Sequence, residues 1–314
     1  MNVFRHGWAV CWLGLLLGVG AQEGQLTIAS DWEGDWNLYT LSLSTGRLEL
    51  LVAGPGSDFH PAWSPDGKRL AFFSSWEGRS NLFLYEEGGE EGGTLRRLTF
   101  GDWTDKAPAW SPDGRALVFS SDREGSFDLY RFDLVRGTEE RLTDWEGDEL
   151  LPAWSPDGTV LAFAAVVGGN EDIYLLNWRT GQVRRMTEGP RQDCYPAWSP
   201  DGRTLLFASA EDGDLDLYRL NVASGVREKL FDTPGDEAFP SFSPDGNWIA
   251  FQYESEWGTW AVAVSRPDGT ERRDWIADRR GWFTKPVWRP KVTTGVSPGA
   301  GSLAAPWAAL KLGP

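Results

Sequence analysis

Chemistry needs side chains that move protons, hold metals or attack electrophiles, and this chain of 314 residues has few of them. It carries two histidines, His6 and His60, and two cysteines, Cys11 and Cys194. Arg5 and His6 precede an apolar run from Trp8 to Gly20, and Val19-Gly20-Ala21 supplies small residues before Gln22, so residues 1–21 read as a secretory signal peptide. Its cleavage removes His6 and Cys11, leaving one histidine and one cysteine and no internal disulfide. A lone histidine beside a repeated strand reads as structural rather than catalytic. Gly295-Val296-Ser297-Pro298-Gly299 matches the nucleophile-elbow pattern, but the residue after the serine should donate its N–H to an oxyanion, and Pro298 has none. Asp212-Gly213-Asp214-Leu215-Asp216 opens like a calcium loop, yet Leu217 and Ala223 stand where an EF-hand needs Gly and Glu. Its carboxylates are expected to cap a tight turn.

Carboxylates and tryptophans are what the chain has in abundance: 46 Asp and Glu against 30 Lys and Arg, a net charge of −16, and 19 Trp. Such acidity disfavours nucleic acid and anionic lipid as partners. Five carboxylates stand three residues ahead of a recurring proline: Asp58, Asp105, Glu149, Asp193 and Glu237, with Phe283 at the sixth place. A second set, Trp32, Trp76, Trp103, Trp145 and Trp257, lies close to acidic residues in the longer connections.

The elements that position both sets are legible from the repeat. Pro61-Ala62-Trp63-Ser64-Pro65-Asp66-Gly67 returns at Pro108, Pro152 and Pro196, then as Pro240-Ser241-Phe242-Ser243-Pro244-Asp245-Gly246, and in worn form at Pro286-Val287-Trp288-Arg289-Pro290. The prolines are 47, 44, 44, 44 and 46 residues apart, the period of a four-stranded blade. Ser-Pro-Asp-Gly is a turn: Ser hydrogen-bonds at the first position, Pro sets φ, and Gly accepts positive φ. β-forming runs such as Arg69-Leu70-Ala71-Phe72-Phe73 follow it and close a hairpin. The small residue before each Trp lets innermost strands crowd an axis, and the ring fills the gap between blades. Third strands read polar-aliphatic-Tyr, as in Asp128-Leu129-Tyr130, and charged fourth strands such as Glu139-Glu140-Arg141-Leu142 form the rim.

Ahead of Pro61 three strands lack a leading Pro-x-Trp strand, and the unused one is Pro286-Val287-Trp288. The expected fold is therefore all-β: a six-bladed β-propeller of four-stranded antiparallel blades over residues 22–290, one blade shared between the two ends. Residues 291–314, rich in Gly, Pro, Ala and Ser, are expected to form a flexible tail. No later stretch is long and apolar enough for a membrane span, and a monomer is expected.

The repeated Pro-Ala-Trp-Ser-Pro-Asp-Gly, the Ser121-Asp122-Arg123-Glu124-Gly125 turn and Asp-Leu-Tyr strands resemble the propeller of the TolB family, over about Leu26 to Pro290. In that family the propeller binds a peptidoglycan-associated lipoprotein in the periplasm and is a target of colicins. The resemblance thus implies protein binding outside the cytoplasm. The family's α/β domain has no counterpart ahead of the first strand here, so its roles are not carried over. Related propellers also lid prolyl-oligopeptidase-like hydrolases, whose catalytic domain this sequence does not show.

Ring symmetry would gather Asp58, Asp105, Glu149, Asp193 and Glu237 at one channel mouth, to receive a Lys or Arg from a partner or a hard cation such as Ca²⁺. No other cofactor is expected. The same face would carry the five loop tryptophans. The reading is a secreted or periplasmic, non-catalytic scaffold for a protein or peptide of the cell envelope. The alternatives are a carbohydrate or cell-wall binder and a glycosidase with two carboxylates about 5 to 10 Å apart.

Overall fold

The computed structural model describes residues 24–53, 56–75, 78–88, 93–276 and 281–291. The segment expected to be a signal peptide, Trp76 and the residues beyond Lys291 lie outside the described residues. β1 (Gln25–Ser30), β2 (Asn37–Ser42) and β3 (Leu48–Val52) come first. Five complete blades follow. Blade 2 is β4 (Asp58–Trp63), β5 (Arg69–Ser74), β6 (Asn81–Glu86) and β7 (Thr94–Arg97). Blade 3 is β8 (Asp105–Trp110), β9 (Ala116–Ser121), β10 (Asp128–Asp133) and β11 (Thr138–Arg141). Blade 4 is β12 (Glu149–Trp154), β13 (Val160–Val167), β14 (Asn170–Asn177) and β15 (Gln182–Arg185). Blade 5 is β16 (Asp193–Trp198), β17 (Thr204–Ser209), β18 (Asp216–Asn221) and β19 (Arg227–Lys229). Blade 6 is β20 (Glu237–Phe242), β21 (Ile249–Glu254), β22 (Trp260–Ser265) and β23 (Arg273–Ile276). The last strand, β24 (Phe283–Trp288), pairs antiparallel with β1, giving the order β24-β1-β2-β3. Six four-stranded antiparallel sheets result, and the sixth is shared between the two ends as the orphan Pro286-Val287-Trp288 required.

The hairpin turns work as their residues dictate. Ser64 Oγ donates to Asp66 Oδ1 at 2.5 Å and accepts the Arg69 N–H at 2.9 Å, while Gly67 takes φ 69°. The same bonds recur at Ser111, Ser155, Ser199 and Ser243. The hydroxyl thus replaces ladder partners that the turn removes.

Hydrophobic cores sit between blades. Ala71, Leu82 and Leu84 of blade 2 pack with Leu117 and Phe119 of blade 3, and the pattern continues around the ring. Phe72, Phe119, Phe163, Phe207 and Phe251, each in a second strand, are fully buried. All the inner-strand Trp residues but Trp154 also reach back one blade with the indole N–H. Trp110 Nε1 donates to Ala62 O at 2.9 Å, Trp198 Nε1 to Ala153 O at 3.2 Å, and Trp288 Nε1 to Ser241 O at 3.2 Å. A buried indole N–H needs such a partner, and the small residue ahead of the preceding ring leaves its carbonyl within reach. Arg69 continues the stapling, stacking 4.6 Å from the Trp110 ring while donating to Gly114 O at 2.9 Å.

Candidate functional site

The innermost strands β4, β8, β12, β16, β20 and β24 neighbour one another in a closed circle. Each breaks register at its leading proline, as between Phe59 and Ala62 on β4, because proline has no N–H to give the ladder. The residue just before it takes a left-handed backbone: His60 (φ 51°), Ala107 (54°), Leu151 (56°), Tyr195 (59°), Phe239 (50°) and Lys285 (47°). Non-glycine residues reach that region at a cost of about 1–2 kcal/mol each. The bulges turn one side chain per blade to the axis, where the Tyr195 and Phe239 rings lie 3.9 Å apart and His60 meets Phe239 at 5.3 Å. β4 and β20 are separated in the circle by β24, so the His60–Phe239 contact reaches past one strand and narrows the channel. Sequence reading missed this layer. The proline inside an otherwise ideal strand was its signal.

The five carboxylates begin their inner strands and are buried there: Asp58, Asp105, Glu149, Asp193 and Glu237 are all at most 2% exposed. Glu149 faces Asp128, Asp193 faces Asp172, and Glu237 faces Asp216, the second member in each case lying in the third strand of the preceding blade. These third-strand acids are paired to the rim: Asp128 to Arg141 at 2.8 Å, Asp172 to Arg185 at 2.6 Å, Asp216 to Lys229 at 2.9 Å. Asp105 and Glu237 have partners of their own, Arg123 at 3.2 Å and Arg272 at 3.3 Å. Thr99, Thr143 and Thr187 close three seams by accepting the N–H of Leu82, Leu129 and Ile173 at 3.0, 2.8 and 2.9 Å. Buried to this degree, the five acids do not stand as an exposed anionic ring, and several of them are held by neighbouring side chains. Among the described residues no group of three His, Cys, Asp or Glu is placed to hold a metal ion, so the Ca²⁺ expectation finds no cluster there.

Burial without full compensation raises Asp58, Glu149, Asp193 and Glu237. Asp58 is pushed up to about 7 by burial, with the facing Ser74 hydroxyl opposing, and Glu149 to about 7 by burial. Burial also raises Asp193 and Glu237.

The loop tryptophans divide. Strand alternation puts the connections that precede each inner strand, and those between second and third strands, on one face. Trp145 lies on Phe163 and Tyr174, with ring centroids 5.4 and 5.2 Å away, and Trp32 is 5.8 Å from Phe283. Trp103 packs under the Arg123 guanidinium at 4.9 Å. These three cover blade ends, whereas Trp257 is 42% exposed. Two rings absent from the sequence reading join it on that face: Phe100 at 45% and Trp282 at 44%. Beside Trp145 a recess of about 680 Å³ is lined by Glu146, Tyr174 and the Val166–Gly169 hairpin tip.

Other candidates take structural places. Asp214 Oδ2 accepts the Gly235 N–H at 3.1 Å and Asp212 pairs with Lys229 at 3.1 Å, so the calcium-like run braces a turn. Cys194 is a buried free thiol. The Gly295–Gly299 motif lies outside the described residues.

Residues 22–149 and 137–274 match the TolB beta propeller domain. The chain belongs to that family. No curated protein matches it. Among solved structures, TolB from Acinetobacter baumannii shares 23% identity at a TM-score of 0.75, over 87% of this chain and 68% of its own. An oligogalacturonate lyase from Vibrio parahaemolyticus shares 18% at 0.55, over 80% and 74%. A structure of the Nidogen/Laminin complex shares 11% at 0.68, over 84% and 98%. At these identities the likeness is one of fold, and the TolB beta propeller scaffold is common to proteins with and without catalysis. No helix among the described residues is long and apolar enough to cross a membrane.

Proposed function

We propose that this TolB-family propeller is a non-catalytic protein-binding scaffold of the periplasm or extracellular space, engaging its partner with the face that carries the longer loops. One observation carries the reading: the large exposed aromatics among the described residues, Phe100, Trp257 and Trp282, all lie on connections of that face. Aromatic rings left in water on rigid loops are the usual anchors of protein interfaces. Among the described residues, the large hydrophobics exposed at the turns of the opposite face are the aliphatic Val135 and Val226. The family supports the reading, as does the Nidogen/Laminin neighbour, a propeller found within a protein complex. The test is affinity capture from an envelope extract with residues 22–314, followed by binding of the identified partner to purified variants. Phe100→Ala with Trp257→Ala should lose capture at unchanged melting temperature, and Val135→Ser should not. Equal capture by all three proteins would end the proposal.

The recess beside Trp145 and Glu146 favours carbohydrate as a second reading, since an aromatic floor with a carboxylate at its edge suits a sugar ring. A glycan array without hits removes it.

A further inference from the structure

The chain carries 46 acidic residues against 30 basic ones, and the cations of the blade seams are ion-paired. Arg123, Arg141, Arg185, Lys229, Arg272 and Arg289 all have a carboxylate within 4 Å. Lys285 has none among the described residues, although it sits at the bulge of β24 with its side chain toward the axis. Burial alone pulls its ammonium down to about 7. No acid bears on Lys285 or on His60, which is held well below its usual range by burial and then by Lys285 and Lys106, whereas Tyr195 is raised by burial and then by Cys194, Glu171 and Asp236. His60 Nδ1 is buried without a hydrogen-bond partner.

The constriction therefore has an incomplete charge balance. Lys285 is half-buried, so its ammonium is partly stripped of water yet still reachable, and no carboxylate among the described residues lies within 4 Å to balance it. The rings of His60, Tyr195 and Phe239 are in contact at the same bulge position that Lys285 occupies on β24, and they narrow the space around it. The layer lies at the third residue of the inner strands, nearer the loop face than the Pro-Asp-Gly turns.

We propose that the channel constriction built by Lys285, His60, Tyr195 and Phe239 is a receptor for one carboxylate, presented end-on by the polypeptide of a partner docked on the loop face. This reverses the charge of ligand that the acid-rich sequence suggested. It rests on the protein-binding reading above. The carboxylate arrives on a Glu or Asp side chain or at a chain terminus, and both sources make the same ion pair with the Lys285 ammonium.

The experiment follows the Lys285 side-chain resonances of ¹³C-lysine-labelled residues 22–314 during titration with three peptides: acetyl-Gly-Gly-Glu-Gly-amide, its Gln counterpart, and acetyl-Gly-Gly-Gly with a free C-terminal carboxylate. At least one carboxylate peptide should shift Lys285 and raise its titration midpoint, and which of the two does so identifies the source. The Gln peptide should bind about tenfold or more weakly, as should the Glu peptide to Lys285→Met, which keeps the apolar stem. Failure of both carboxylate peptides to move Lys285, or equal binding of the Gln peptide or by Lys285→Met, overturns the proposal. Capture through Phe100 and Trp257 is measured separately, so loss of the carboxylate site leaves the scaffold reading standing, and loss of capture leaves the wild-type titration readable.

Discussion

Trp63 Nε1 donates a 2.8 Å hydrogen bond to Thr27 Oγ1 across the seam between the shared blade and the first complete one. Both residues are buried, and Thr27 faces Val287 of the last strand in the sheet register. One bond thus ties the first strand of the chain, its last strand and blade 2 together. Arg289 reinforces the place, stacking 4.3 Å from the Trp63 ring and donating to Gly67 O at 3.2 Å.

Closure should therefore govern stability. Deleting residues 283–314 removes β24, strips β1 of its partner and should lower the melting temperature of the whole ring cooperatively. Deleting residues 292–314 removes no described strand and should leave the melt unchanged. Trp63→Phe should cost about 1 kcal/mol, read by urea titration, for the lost bond to Thr27.

Asp58 predicts a pH dependence. Its folded pKa of about 7 lies above the ordinary value of about 3.9 for an unfolded Asp, so the native state holds a proton that the unfolded chain releases. Stability from this group is greatest below about pH 4, falls as pH rises, and levels above about pH 7. Asp58→Asn abolishes that titration. Relative to wild type the variant should gain on the order of 2 to 3 kcal/mol between about pH 5 and about pH 8. A constant difference between the two proteins across that range would refute the buried-acid account.

The loop tryptophans should separate by packing. Trp145→Ala strips a cover from Phe163 and Tyr174 and should cost about 2 kcal/mol or more, whereas Trp257→Ala should stay within about 0.5 kcal/mol. Denaturant unfolding of the two variants compares them directly. If Trp257→Ala is the more damaging, its ring is a structural lid and the loop-face proposal loses its anchor.

Seam threonines offer a fourth measurement. Thr187→Val leaves the buried Ile173 N–H without its 2.9 Å acceptor and should cost about 1 to 3 kcal/mol. Thr180→Val, in an exposed turn where the Gln182 N–H lies 3.4 Å from the hydroxyl, is the control and should be nearly neutral.

Architecture was readable in the chain because each blade is specified locally. A Ser-Pro-Asp-Gly turn, a two-residue alternation and a Trp at a fixed offset are enough to fold a blade, and repetition made each reading a check on the others. The ring closure was legible for the same reason: a missing strand at one end and a spare one at the other admit one pairing.

What the sequence could not decide is the direction in which a side chain at a strand end or bulge points. Asp58, Asp105, Glu149, Asp193 and Glu237 share an offset, but whether that offset faces the axis or a seam depends on the rotation of each blade against the next. His60 and Lys285 are 225 positions apart in the chain and look unrelated; only the break in register at each leading proline, summed around a closed circle, brings them to one constriction. Spacing along a strand is a local property, whereas the environment of a channel residue is set by five other blades at once. The acids were therefore visible as a pattern without a direction, and the basic layer at the axis exists only in the assembled ring.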